Sequence, residues 1–307
     1  PGAGGPAAHE RAGDAGMMST MPAPMHQFIR HPALPWAELR ISQQSPHCYR
    51  LHMHAEYSLG MVDTGTGLFQ HPGGTEPLAP GDVVLIEPGT WHACNPQQPS
   101  HWSYRMVYVQ ADWLHQHCMA DSGPLRFVRR AVRDAASRTA LQALCQAVQA
   151  GDASGAAAPL RQLLLQHAQP AVLPLAADDA AVRQALDCLH QHPESAPSVQ
   201  ALAQACSMSA SRFIRHFKAA TGVTPGAYRL NLRLNGARHL LAQGAALAQA
   251  AHAMGFADQA HLQRSFKAHH ALTPGRYAQG SRENEPAEPS TGAAFQQKPL
   301  TRTFSAH

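Results

Sequence analysis

Two groups of residues in this 307-residue chain have types and spacings that could do chemistry. The first is duplicated. Ser209–Tyr228 reads SASRFIRHFKAATGVTPGAY and Asp258–Tyr277 reads DQAHLQRSFKAHHALTPGRY, an offset of 49 with eight of twenty positions identical. Both copies contain Arg-x-Phe-Lys, as Arg215-His216-Phe217-Lys218 and Arg264-Ser265-Phe266-Lys267. An arginine fork can take guanine O6 and N7 together, and a lysine one residue beyond a core Phe is placed for phosphate.

The second group is near the start of the chain. Residues 50–59 read R-L-H-M-H-A-E-Y-S-L, and alternation along a strand puts His52, His54 and Glu56 on one face. Some forty residues later, Gly81-Asp82-Val83-Val84-Leu85-Ile86-Glu87-Pro88-Gly89-Thr90-Trp91-His92 adds a third imidazole. Such a set could line a pocket for a small effector. It could also hold Zn²⁺, Mn²⁺ or Fe²⁺ through His52, His54 and His92.

Helices must position the first group. Val199, Leu202, Ala203 and Cys206 line one short helix, a turn follows at Ser207-Met208, and Ser209 N-caps the next, whose core face is Phe213 and Phe217. In the second copy Leu247, Ala250, Ala251 and Met254 precede a turn at Gly255-Phe256-Ala257. Asp258 is then the N-cap, and Leu262 with Phe266 faces inward. Each copy is therefore a helix–turn–helix, at 198–219 and 246–269, and the second turn is one residue longer. Fixing the inward face turns Ser211, Ile214 and Arg215 outward from one helix, and Gln259, Ala260, Gln263 and Arg264 outward from the other. Arg212, Lys218, His261 and Lys267 are placed for phosphates. Thr224-Pro225 opens a connecting helix that runs to about Gln243, ~27 Å at 1.5 Å per residue. A rigid spacer of that length could set two recognition helices in successive major grooves.

Charge agrees with this placement. Residues 1–177 carry 11 Lys and Arg against 12 Asp and Glu, whereas 178–280 carry 10 against 5. The basic excess sits where the repeats are, as expected of a module that binds double-stranded DNA.

Short runs punctuated by Asp63-Thr64-Gly65, His71-Pro72-Gly73-Gly74, Pro80-Gly81-Asp82 and Pro88-Gly89 give residues 26–118 the texture of a β-sandwich or small barrel. Leu141, Leu144, Cys145 and Val148, then Leu160, Leu163, Leu164 and His167, follow helical spacing within 119–177. Those helices either pack on the sheet or pair between subunits of a homodimer. Residues 1–25 and 281–307 lack periodicity and are expected to be disordered tails, with Ala176–Asp179 as a linker. The fold class expected is α+β with an all-α module from 178 to 280.

Other classes are set aside. Hydrophobic residues at 44% supply a core, yet no apolar run approaches the ~20 residues of a membrane helix. No signal peptide is visible, so a cytoplasmic protein is expected. The six cysteines form no C-x-x-C pair, and Cys48, Cys94, Cys118 and Cys145 are too scattered for the zinc site of a DNA-repair methyl acceptor. No P-loop, Gly-rich dinucleotide motif or Ser-His-Asp order occurs, so no enzyme is expected and no cofactor beyond that optional divalent metal.

The stretch from about 180 to 278 resembles the DNA-binding domain of AraC/XylS-family transcription regulators. Leu202-Ala203, Met208-Ser209, Phe213–Lys218, Thr224-Pro225, Arg233, Ala237, Leu240-Leu241, Gly255-Phe256, Arg264–Lys267 and Thr273-Pro274 carry the likeness. Ser207 departs from it, since this family's first turn usually has Gly, and Leu262 stands where an aromatic is usual. The resemblance implies base contacts from Ser211, Ile214, Arg215, Ala260, Gln263 and Arg264. Residues 28–115 resemble the cupin-like effector domains of the same family, which implies a pocket at His52, His54, Glu56 and His92. Glu56 follows His54 by two residues, closer than in metal-binding cupins, so pocket and metal both stay open. RNA polymerase is a further implied partner.

Overall fold

A computed structural model describes residues 25–98, 101–118, 123–171 and 180–280. Apart from residue 25, the expected tails lie outside the described residues, as does the expected linker at 176–179. In the amino-terminal half, β1 (Met25–Arg30), β2 (Ala37–Gln43), β3 (Tyr57–Thr64), β4 (Gly67–His71), β5 (Gly74–Leu78), β6 (Val83–Ile86), β7 (Ala93–Pro96) and β8 (Ser103–Val109) come first. They are followed by α1 (Ala111–His117), β9 (Leu125–Phe127), β10 (Ala131–Val132), α2 (Ala135–Ala150), α3 (Ala153–His167) and β11 (Ala168–Pro170). One sheet has the order β1-β2-β8-β3-β6-β10, a second β5-β4-β7, and β11 pairs with β9.

The six-stranded sheet is buried on both faces, and its sequence alternates accordingly. Tyr57, Leu59 and Met61 of β3, Val83 and Leu85 of β6, and Val107 and Val109 of β8 face one core. Val62, Val84, Ile86, Tyr104, Met106 and Tyr108 face the other, with Phe69 and Leu78 from the smaller sheet. Leu141, Leu144, Cys145 and Val148 of α2 and Leu160, Leu163 and Leu164 of α3 join the first core. These Leu-rich faces pack on the sheet. Gly151, at φ 71°, breaks α2 from α3, and Asp152 caps α3 by accepting from Gly155 N. The boundary drawn at 118 does not divide this half. β10 pairs with β6, and an otherwise bare apolar sheet face requires the two helices.

The carboxy-terminal half is all helix: α4 (Ala180–Gln191), α5 (Val199–Ala205), α6 (Ala210–Thr221), α7 (Pro225–Ala242), α8 (Leu247–Ala253), α9 (Gln259–His270) and α10 (Pro274–Gln279). Phe213 and Phe217 of α6 and Leu262 and Phe266 of α9 are completely buried. The connecting helix α7 serves both modules. Tyr228 lies in the core of the first, and Leu234, Ala237 and Leu241 lie in the core of the second. Among the described residues no helix is long and apolar enough to cross a membrane.

The two halves do not merely touch. Met53 and Trp91 from the amino-terminal half are buried in one core with Val182, Leu202, Phe213 and Tyr228. The core between the two sheets is likewise continuous with that of the second helix–turn–helix.

Candidate functional site

Both recognition helices present the expected side chains. Ser209 caps α6 by accepting from Arg212 N, and Asp258 caps α9 by accepting from His261 N. Ser211, Arg212, Arg215 and Lys218 are exposed, with Ile214 half-buried beside them. On α9 Gln259, Ala260, Gln263, Arg264 and Lys267 are exposed. His261 is half-buried, its ring edge-on to Phe256 at 5.2 Å, so part of this expected phosphate ligand is taken up by packing. Among the described residues, Arg215, Lys218, Arg264 and Lys267 are in no ion pair, and their charges face outward.

The two turns have the same backbone sign with different residues. Ser207 sits at φ 53° and Gly255 at φ 67°. A Cβ on Gly255 would meet the Glu194 carbonyl, so glycine is needed there for space as well as for φ. Ser207 adopts the same conformation with a side chain and bears its strain.

The histidines of the amino-terminal half converge. Residues 50–56 form no regular strand; instead His52 pairs with His92 through reciprocal backbone bonds of 3.0 and 2.8 Å. Ring centroids are 4.5 Å apart for His52 and His92, 4.9 Å for His52 and His54, and 5.2 Å for His54 and His92. His52 Nδ1 donates to the Arg50 carbonyl and His92 Nδ1 to the Thr90 carbonyl, each at 2.8 Å. A carbonyl only accepts, so both rings carry the proton on Nδ1 and keep the Nε2 lone pair. Burial lowers the pKa of all three, well below the ordinary value for His52 and His54 and to about 4 for His92. They are neutral donors.

Glu56 does not join them. Its carboxylate lies 3.5 Å from Arg238 Nη1 of α7, on the far side of the seam between the halves. Arg238 also meets Glu38 of β2 at 2.7 Å, and the Tyr277 hydroxyl donates to the other Glu38 oxygen at 2.6 Å. Burial opposes the Arg238 charge, but Glu56 and Glu38 outweigh it and hold the guanidinium protonated. Glu38, Glu56, Tyr108, Arg238 and Tyr277 line a cleft of about 1210 Å³ at this seam. Of the four residues expected in an effector pocket, three make the cluster and Glu56 lines the cleft.

The seam also holds residues that the motifs did not single out. Asn231 donates to the Met53 carbonyl at 2.9 Å and accepts from Met53 N at 3.1 Å, while Asn235 donates to the same carbonyl at 3.0 Å. Arg40 donates to the His270 carbonyl at 3.0 Å, at the end of α9. One signal could have pointed here. Asn231, Leu234, Arg238 and Leu241 form a single stripe on α7, and polar residues within an apolar stripe require buried partners.

Known proteins resemble the chain in both halves. Residues 35–168 match the family described as AraC-like ligand binding domain, and residues 202–280 match a helix-turn-helix domain family. An HTH-type transcriptional regulator of Bacillus subtilis, YbfI, is 26% identical over 222 residues, covering 69% of this chain and 80% of its own. The MmsAB operon regulatory protein of Pseudomonas aeruginosa is 27% identical over 248 residues, 76% of this chain and 78% of its own. Among solved structures, ToxT from Vibrio cholerae superposes with a TM-score of 0.51 at 10% identity, covering 81% of this chain and 99% of that one.

Proposed function

As an AraC-family transcription regulator, not an enzyme, the chain joins an AraC-like ligand-binding domain to a helix-turn-helix DNA-binding domain, and we propose that α6 and α9 read adjacent major grooves of one operator. The observation that carries this reading is the pair Arg215 and Arg264. They hold corresponding positions in the repeat, both are exposed, and their helices flank the shared α7. Ser211, Ile214, Gln259, Ala260 and Gln263 complete the base-facing set, with methyl contacts to thymine as the role of Ile214 and Ala260. Arg212, Lys218, His261 and Lys267 hold the backbone.

The effector acts at the seam, where the cleft lined by Glu56 and Arg238 and the cluster of His52, His54 and His92 both lie. A ligand there touches both halves and can shift their balance by its differential affinity for the two arrangements. RNA polymerase and a second copy of the chain are further partners in this reading, and the cytoplasm is where it acts. Val128 and Leu165, each 64% exposed on the amino-terminal half, are apolar side chains that a second copy could cover.

Selection of bound DNA from a random pool, followed by footprinting, tests the proposal. Two protected major grooves about one helical turn apart are expected. Lys218→Ala and Lys267→Ala should weaken binding to all sequences alike and lower the salt slope by about 1 each. A single protected groove, or no sequence enriched, would overturn it.

A further inference from the structure

We propose that His52, His54 and His92 are a binding site for a late first-row divalent cation of the zinc class, and that its occupancy is transmitted to the DNA-binding half through Met53 and Trp91. The second clause rests on the DNA-binding reading above; the first stands without it.

The donor set is selective. Three nitrogen atoms, one from each ring, lie within 4.8 Å of one another. A tetrahedral ion with bonds of about 2.0–2.1 Å would hold such nitrogens about 3.3 Å apart, so a small closing of the rings completes the set. The carboxylate that Mg²⁺ or Ca²⁺ would want is on Arg238 instead, and an all-imidazole site suits Zn²⁺, Cu²⁺ or Ni²⁺. Carbonyls of Arg50 and Thr90 orient two of the rings from outside, the arrangement that fixes ligating imidazoles.

His54 supplies a second, independent observation. It is 6% exposed, and its Nδ1 is buried with no hydrogen-bond partner among the described residues. An unpaired buried polar atom is costly, and a cation in the cluster removes the need for one ring to be left over. Arg238, whose charge reaches His54, is neutralised by Glu38 and Glu56. Three protein ligands leave a fourth position of a tetrahedral ion for water or another ligand.

Transmission follows from alternation. Met53 lies between His52 and His54, and its side chain is buried in the first helix–turn–helix core while Asn231 and Asn235 hold its backbone. Trp91 precedes His92 and packs against Tyr228 at 5.4 Å. Drawing the three imidazoles onto one ion moves the two segments that grip the DNA-binding half. The coupling is reciprocal, so DNA must alter metal affinity as metal alters DNA affinity.

The test uses the full chain, stripped with chelator and titrated with Co²⁺, whose visible absorption reports its coordination. One equivalent should bind, be displaced by Zn²⁺ and resist excess Mg²⁺. His52→Gln and His92→Gln should each lose affinity by ~10–100-fold or more, the loss that even an outer-shell change causes. His52 is half-buried, so its variant is expected to keep a cooperative thermal melt. Cys48→Ser, at an exposed thiol, should bind as the wild type does. Unchanged Co²⁺ affinity in both histidine variants, or no stoichiometric binding, would overturn the site. DNA affinity with Zn²⁺ against chelator should differ about fivefold or more in the wild type and not in His52→Gln. Equal affinity in both states would overturn the coupling. Cobalt binding without DNA binding in either state would instead sink the regulator reading and leave the metal site standing.

Discussion

Arg238 of α7 and Glu38 of β2 stand 2.7 Å apart with both side chains less than 10% exposed, a buried ion pair between residues 200 positions apart. Tyr277 closes the group from α10, and Arg30 donates to the Tyr277 carbonyl at 2.6 Å while its guanidinium lies over that ring. The sensor half and the DNA-binding half are thus joined by charge as well as by shared core. Removing one partner of a buried pair leaves the other unpaired, which costs more than the pair itself contributes.

Glu38→Ala should therefore destabilise the full chain by ~3–5 kcal/mol. Tyr277→Phe should cost less, ~1.5–3 kcal/mol, because it removes a hydrogen bond to the Glu38 carboxylate and a longer one of 3.3 Å from Arg238 Nε but leaves the ion pair in place. Because both act on Glu38, the double variant should lose less than the sum. Urea unfolding reads all three, and a Glu38→Ala variant as stable as the wild type would show that the pair joins nothing.

Arg215→Ala and Arg264→Ala should each weaken specific DNA binding by ~1–3 kcal/mol and relax the base preference at one position. The two positions should lie about a helical turn apart. Binding to the selected site and to random DNA, measured side by side, decides the matter; equal losses on both would assign these arginines to phosphate.

The two turns differ in strain, and substitution can expose it. Ser207→Gly should stabilise the first module by ~1 kcal/mol, since a side chain in the left-handed region is unfavourable. Gly255→Ala should destabilise the second by ~1–3 kcal/mol, because its Cβ meets the Glu194 backbone. Melting temperatures that move in the same direction for both would contradict this.

Acid should loosen the sensor half in a defined window. His26, 2.8 Å from Ser42 Oγ, is lowered to about 4, by burial first and by the Arg40 charge second. Above pH ~6.5 neither state binds the proton; between ~6.5 and 4 only the unfolded chain does. Stability therefore falls as pH drops through the window, by less than the ~1.4 kcal/mol per pH unit of a fully shielded group, because solvent screens the half-buried His26. His26→Gln should make the dependence shallower by about one proton, as denaturant unfolding at several pH values would show.

What could be read from the residues alone followed the reach of the interactions. The helix–turn–helix copies were legible because their logic is local: Phe213 and Phe217 are four apart, Asp258 caps its own helix, and the turn follows within a few positions. His52, His54 and His92 were legible as residue types, but strand alternation is not what gathers them: residues 50–56 form no regular strand, and an isolated bridge between His52 and His92 brings the two segments together. The place of Glu56 was not legible, because it is drawn aside by Arg238, 182 positions away, and no strand periodicity contains that ion pair. Modular reasoning also separated a sensor from a DNA-binding segment, yet Met53 and Trp91 are core residues of the first helix–turn–helix. Single hydrophobic residues in a strand-like segment do not announce which domain will bury them.

The side chains aimed outward from α6 and α9 are not those that hold the sensor: the grip comes from Asn231, Asn235, Arg238 and Tyr277, and from the His270 backbone carbonyl. That division of labour has an evolutionary consequence. If α6 and α9 read bases as proposed, drift at Arg215, Gln263 or Arg264 would redirect the protein to a new operator without disturbing the contacts at the seam, and drift around the seam would retune a signal received there without changing the genes addressed. A lineage built on this chain can change its input and its output separately, one residue at a time.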